Sequence, residues 1–378
     1  MIDDPSGLWL GRVWLPEAAG PAVVTLRDGH LVDVTAPGAA TAADICEMEE
    51  PAGWLRTAPG RVLGRLDDIA AAPVGDMSRI HLLAPCDLQV IKACGVTFAQ
   101  SMLERVIEEK AGGDPARAQA IRGRIAAIIG ESLRDIRAGS PEAAAVKQAL
   151  IGEGMWSQYL EVGIGPDAEV FTKAPVLSSV GAGAKIGLHP ISRWNNPEPE
   201  VVLAVSACGR ILGAALGNDV NLRDVEGRSA LLLGKAKDNN ASCAIGPMIR
   251  LFDDGFSLND VRRAELTLTV EGEDGYVLHG RSSMAQISRD PMDLVAQTIG
   301  AHHQYPDGFM LFLGTLFAPT EDRDVKGEGF THKPGDRVTI SSPGLGLLTN
   351  TVRLSTECPP WSFGLRDLMR NLSSRNLL

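Results

Sequence analysis

The sequence predicts an α+β chain, mainly β. A small β-rich N-terminal domain spans residues 1–90, and a larger β-rich catalytic region spans residues 91–378 with a helical insertion at about 101–152. Three observations predict it. The length of 378 residues is too great for one small core. From about residue 155 onward the apolar residues fall in short β-branched or alternating runs separated by turn residues, the signature of strands. Between 101 and 152 that pattern gives way to helix starts and stops.

In the N-terminal domain, Val23–Leu26 and Leu31–Val34 flank Arg27-Asp28-Gly29-His30, and Asp-Gly between two apolar runs predicts a hairpin. In the insertion, Ser101 with Glu104 fits a capping box and Gly112-Gly113 stops the helix. Asp114-Pro115 starts a second helix with Ile121, Ile125, Ile128 and Ile129 along one face, and Ser140-Pro141 starts a third. These helices either cover a site or only pack on the core or on a second subunit. Beyond them, strands are expected at 200–207, 210–218, 264–270, 309–313, 337–340 and 347–354, the last two joined at Pro343-Gly344. One further helix is expected at 291–301, capped by Asp290 with Pro291 at its first position.

Composition narrows the function. Hydrophobic residues make up 44% and charged residues 22%, as in a folded soluble protein, and no apolar run is long enough to cross a bilayer. The first residues lack the basic and apolar stretches of a secretory signal, so a cytoplasmic location is expected. A net charge of −11 argues against nucleic-acid or anionic-membrane partners but allows a small anionic substrate. The six cysteines form no Cys-x-x-Cys pair and read as buried thiols in a reducing compartment.

The most informative stretch is Asn195-Asn196-Pro197-Glu198-Pro199-Glu200 before an apolar run. Residues two apart on a strand share a face, so Glu198 and Glu200 can aim their carboxylates at one point. Such a pair is costly unless a cation or a shared proton neutralises it. Cys208-Gly209-Arg210 reads as a turn, and a hairpin there brings Asp219 opposite Glu198. Three carboxylates without His or Cys make a hard oxygen site suited to Mg²⁺, with Mn²⁺ or Ca²⁺ possible substitutes.

Several motifs run in a shared order through roughly residues 90–355: Phe171-Thr172-Lys173-Ala174-Pro175, Glu198-Pro199-Glu200, Gly217-Asn218-Asp219-Val220-Asn221-Leu222-Arg223-Asp224, Ala236-Lys237, Gly246-Pro247, Leu313-Gly314-Thr315, Lys333-Pro334-Gly335-Asp336 and Gly346–Val352. With them the chain resembles the fumarylacetoacetase superfamily. The resemblance implies that family's β-rich catalytic fold, Mg²⁺ on Glu198, Glu200 and Asp219, Lys237 as the active-site lysine, Thr315 after Gly314 at the substrate carboxylate, and a homodimer or homotetramer. One departure stands out. Where C–C hydrolases of the family carry a histidine in Gly-x-Asn-Tyr-x-x-His, this chain has Ser101, a poor general base near neutral pH.

Trp156–Val162, Trp194-Asn195-Asn196-Pro197 and His303–Gly308 are similar to the branch of 2-keto-3-deoxy-pentonate dehydratases. That likeness implies a hydro-lyase acting on a small 2-keto acid in pentose (xylose or arabinose) breakdown and yielding 2-oxoglutarate semialdehyde. Hydrolysis of an acylpyruvate is the alternative. It also places Glu169 at the substrate, so Glu169 and Lys237 are the candidate proton-transfer groups, against plainer roles as a surface strand residue and a structural ion pair. Lys173 either holds the substrate carboxylate or pairs with an acid. Ser101, Gly314 and Thr315 are further candidate substrate contacts, and Asn218 and Asp224 are candidates for orienting the metal ligands. His302 and His303, expected at a helix end, and Cys243 read as structural.

Overall fold

The computed structural model describes residues 1–112, 114, 117–118, 137–152, 156–317, 319 and 321–378. The side chains of residues 99–101, 103–104, 108 and 149–150 lie outside that description, as does the second helix expected in the insertion.

Strands dominate, and they form two sheets. The eleven-stranded main sheet runs Arg61–Arg65, His30–Asp33, Gly20–Arg27, Trp9–Leu15, Cys243–Leu251, Ile211–Asp219, Pro199–Val205, Phe309–Phe312, Val90–Gly95 and Glu169–Ala174, with His81–Leu82 paired to Trp9–Leu15. The second sheet runs Val277–Ser283, Glu265–Glu271, Arg337–Ser342, Gly346–Leu354 and Lys185–Leu188. The N-terminal strands join the main sheet directly, Trp9 facing Arg250 and Leu10 facing Ile249. The hairpin expected at Asp28-Gly29 forms there, with both residues at positive φ (49° and 74°), as a two-residue turn of this hand requires.

Alternation along the central strands explains their apolar sequences. Val201, Leu203 and Val205 face one core, shared with Leu266, Leu268, Ile340 and Leu348 of the second sheet. Val202 and Ala204 face another, shared with Ile45 and Leu55 of the N-terminal helices. A strand buried on both faces has no polar side, so it reads as a continuous apolar run. Glu198 and Glu200 share the parity of Val202 and Ala204 and end that buried face in charge.

A third cluster lies in the insertion. Helices Ala99–Ala111 and Gln158–Ile164 pack through Met102, Val106, Tyr159 and Leu160. The first begins two residues before the expected Ser101 cap, so Ser101 falls in its first turn. Helix Pro291–Thr298 is capped by Asp290 as expected. It stops three residues early because Ile299 turns extended, which leaves His302 and His303 in a tight turn closed by Gly300. Among the described residues, no helix is long and apolar enough to cross a membrane.

Ahead of Arg337–Ser342 lies a buried ionic network. Arg323 donates to both oxygens of Asp336 at 2.6 and 2.7 Å, His332 Nδ1 lies 3.0 Å from Asp336 Oδ2, and the Lys333 N–H donates at 3.0 Å. Burial pushes Asp336 up, but these contacts outweigh it and hold the carboxyl at about 2. An unfolded Asp titrates near ~3.9. The stabilisation is therefore full above that pH and is lost as pH falls toward 2. Asp336→Asn should cost about 3 kcal/mol near neutral pH, the low end for a broken buried pair, because Arg323 keeps Asp274 at 3.1 Å. Urea unfolding at pH 7 and pH 3 checks this, and the gap to the parent should shrink at the lower pH.

Candidate active site

The hairpin Pro199–Val205 to Ile211–Asp219 places the three acids. At its turn Gly209 takes φ +81°, and the Ser206 N–H donates to Arg210 O at 3.0 Å. In this register Ile211 faces Val205, which would set Asn218 opposite Glu198. A bulge between Ile211 and Gly213 advances the pairing by one residue, so the Asp219 N–H donates to Glu198 O at 3.0 Å. A shift of one residue turns every following side chain to the other face. The bulge therefore puts Asp219 on the side of Glu198 and Glu200.

The three carboxylates are buried, and one oxygen from each lies within 4.8 Å of the others. Asn218 accepts the Glu198 N–H at 3.1 Å and fixes the backbone beside that ligand. The Gly314 N–H donates to Glu200 Oε2 at 2.6 Å, so Gly314 touches one carboxylate of the trio. Thr315 is buried beside it and accepts the Phe317 N–H at 3.1 Å.

Lys237, at the end of helix Leu233–Lys237, reaches Glu198 and lies 3.0 Å from Asp219 Oδ2. Burial opposes its charge, but Asp219, Glu198 and Glu226 outweigh burial and push the ammonium up. Lys173 is wholly buried, 2.8 Å from Asp219 Oδ1 and bonded to the carbonyl of Lys237. It stands behind Asp219, outside the cavity wall. Asp219 is driven up by burial and down by Lys173 and Lys237, and it ends low.

Glu200 is held well above the usual carboxylate range by burial, then by Asp219 and Glu198. Among the described residues it has no ion-pair partner. A buried trio of hard oxygen donors, one of them short of positive charge, fits a divalent cation of the Mg²⁺ type.

The same cavity is lined by Glu169, Arg105, Glu226, Phe171 and Gly95. Glu169 opens strand Glu169–Ala174 and faces Gly95 across the sheet. Burial, then the nearby Glu226, raises its carboxyl to about 7. A Cβ on Gly95 would fall 2.0 Å from Glu169 Oε2, so this glycine leaves room for the carboxylate. Gly95→Ala should leave the melting temperature within a few degrees and cut kcat by about 10²-fold, since a 1 Å misplacement of a catalytic group is that costly. Parallel melting and rate measurements test it.

Two charged residues escaped the sequence reading. Arg105, on helix Ala99–Ala111, lies 2.5 Å from Glu198 and 2.9 Å from Glu226. Glu226 ends helix Arg223–Glu226 and is 4% exposed. The one available signal for Arg105 was its spacing: it sits three residues after Met102 and one before Val106, on the inward stripe of the helix. Asp224 does not touch the carboxylates. It accepts from Ser192 Oγ at 2.7 Å and Arg193 N–H at 2.8 Å, anchoring the loop that leads into Asn195. The Ser101 side chain is outside the described residues. Cys243 is buried, and burial drives its thiol well up, as fits a packed cysteine. Cys208, unlike the other five cysteines, is exposed.

The chain is thus mainly β, with a buried three-carboxylate cluster and a charged lysine beside it. Residues 169–353 match the family of the fumarylacetoacetate (FAA) hydrolase C-terminal domain. The chain is 25% identical over 328 residues to a probable 2-keto-3-deoxyxylonate dehydratase of Haloferax volcanii, covering 86% of this chain and 93% of that one. It is 29% identical over 185 residues to a 2-dehydro-3-deoxy-D-arabinonate dehydratase of Saccharolobus solfataricus, covering 49% of this chain and 58% of that one. Among solved structures, it superposes with a TM-score of 0.63 on 2-keto-3-deoxy-D-arabinonate dehydratase complexed with magnesium and 2,5-dioxopentanoate, at 19% identity, covering 92% of this chain and 99% of that one. The α+β, mainly-β fold is that of this solved structure.

Proposed function

We propose that the protein is a hydro-lyase that removes water from a 2-keto-3-deoxy-pentonate and yields 2-oxoglutarate semialdehyde. One observation carries the reading: Glu169, poised near neutrality, and Lys237, held charged, line one cavity with the buried trio Glu198, Glu200 and Asp219. The names of the two dehydratase relatives support it.

Glu198, Glu200 and Asp219 would hold Mg²⁺. A bound divalent cation polarises the substrate ketone and acidifies the neighbouring CH₂. Glu169, ionised, takes a proton from carbon 3. Protonated by that step, it is the group able to return a proton to the carbon-4 hydroxyl, which departs as water with the carbon–oxygen electrons. Tautomerisation of the product then places the aldehyde at carbon 5. Lys237 stays an ammonium, because Asp219 and Glu198 hold its proton, and it stabilises negative charge growing on the ketone oxygen. Lys173 positions Asp219 and leaves the substrate carboxylate to Thr315 and the neighbouring backbone. Phe171, with its ring centroid 5.8 Å from Lys237 Nζ, helps exclude water from the ammonium.

The test is incubation of the Mg²⁺-loaded protein with 2-keto-3-deoxy-xylonate, 2-keto-3-deoxy-arabinonate and an acylpyruvate, with products identified by mass. A semialdehyde 18 mass units (one water) below a pentonate substrate is expected. Pyruvate and a free acid from the acylpyruvate alone would instead make it a hydrolase.

A further inference from the structure

The cavity that holds the carboxylate trio carries a charge pattern beyond the trio itself. Among the described residues, five acids line the cavity, the clustered trio with Glu169 and Glu226, against two bases, Arg105 and Lys237. Lys237 and a divalent cation together balance the three ligands. What is left on the cavity wall is Glu169, Glu226 and Arg105, one negative charge in excess when all are ionised.

Arg105 is not open to a substrate anion. One guanidinium nitrogen lies 2.5 Å from Glu198 Oε1 and the other 2.9 Å from Glu226 Oε2. Capturing a substrate carboxylate would mean leaving the buried Glu226 without its guanidinium, which is among the most expensive changes a site can make. Arg105 also comes from the helical insertion, whereas Glu226 follows the Asp219 hairpin, so their pairing docks the helical cover onto the metal domain.

We propose that the Arg105–Glu226 pair with Glu169 makes the cavity selective for monoanionic 2-keto acids with a neutral, hydroxylated tail, and that it rejects 2-keto acids with a second carboxylate. This rests on the dehydratase reading for the pose, with the keto-acid end at the metal centre and the tail toward Glu226. Hydroxyls can donate to Glu169 and Glu226, whereas among these described residues a terminal carboxylate meets like charge and a guanidinium already engaged.

Two probes of equal chain length that cannot be dehydrated isolate the effect: 2-oxopentanoate, a monoanion, and 2-oxoglutarate, a dianion. Calorimetry on the Mg²⁺-loaded protein should show 2-oxopentanoate binding at least tenfold tighter. Glu226→Gln should narrow that ratio about tenfold, and Glu226→Asp, which keeps the charge, should preserve most of it. Equal binding of the two probes by the parent protein overturns the proposal, whether or not the variants fold. So does an unchanged ratio in a folded Glu226→Gln protein. A protein that discriminates between the probes but dehydrates no pentonate would sink the dehydratase reading alone. One that dehydrates a pentonate without discriminating would sink this inference alone.

Discussion

Glu200→Gln is expected to abolish tight metal binding and turnover while leaving the metal-free protein as stable as the parent or more so. Glu200 is the ligand acid held highest, by burial and then by Asp219 and Glu198, and its hydrogen bond comes from the Gly314 N–H. Glutamine keeps the shape and the acceptor oxygen for that N–H, and it removes the repulsion. A hard cation is held largely by ligand charge, so its affinity should fall by at least about a hundredfold. Losing a catalytic metal removes several kcal/mol of transition-state stabilisation, a drop of about 10³ in kcat/KM. Thermal melting with and without Mg²⁺ separates the two effects: the metal-induced rise should vanish, and the metal-free melting point should hold or increase. A lower metal-free melting point would mean that Glu200 is stabilised by contacts other than a cation. Asp219→Asn is a poorer probe, because Lys173 and Lys237 both lean on that carboxylate and would be left buried without it.

Glu169→Gln should have the opposite signature. Metal affinity and the metal-induced melting shift should persist, because Glu169 is not one of the three clustered ligands. The rate constant kcat should fall by about 10²–10⁴, the range for loss of a general acid–base group. The pH profile gives a second readout. Glu169 takes up the carbon-3 proton as a carboxylate, so the parent's rate should rise with pH and level off once the group is ionised. Its carboxyl stands at about 7 through burial and Glu226, and a bound cation pulls it down, so the inflection should fall at or below about pH 7. That rising limb should disappear in the glutamine variant. A limb that survives unchanged would assign the base to another group.

The clustering of the three carboxylates was legible in the sequence because each step to it is local. Glu198 and Glu200 share a face by strand periodicity, and the Cys208-Gly209 turn folds Asp219 back toward them. The core strands were legible for a similar reason: burial on both faces leaves a continuous run such as Val201–Val205. The N-terminal hairpin follows from the positive φ that Asp28-Gly29 tolerates. Lys173 was harder to place. A lysine in a strand looks the same whether it faces substrate or backs a ligand, and the packing of Val220, Ser242 and Lys237 carbonyl around its ammonium comes from distant chain.

What the sequence determined by itself is therefore the set of donors and their chemistry: three hard carboxylates on neighbouring strands, a lysine, and a mainly-β frame to hold them. Periodicity and turn chemistry act over a few residues, and those few residues are adjacent in the chain. Only the tertiary structure decided that a bulge at Ile211–Gly213 keeps Asp219 on the shared face, that Gly95 makes room for Glu169, and that Arg105 from the helical cover meets Glu226. The last two contacts join segments tens to more than a hundred residues apart, and no local preference specifies which distant segments will meet. Burial of the two cores brings them together, and the charges of the cavity are set by who is left facing whom.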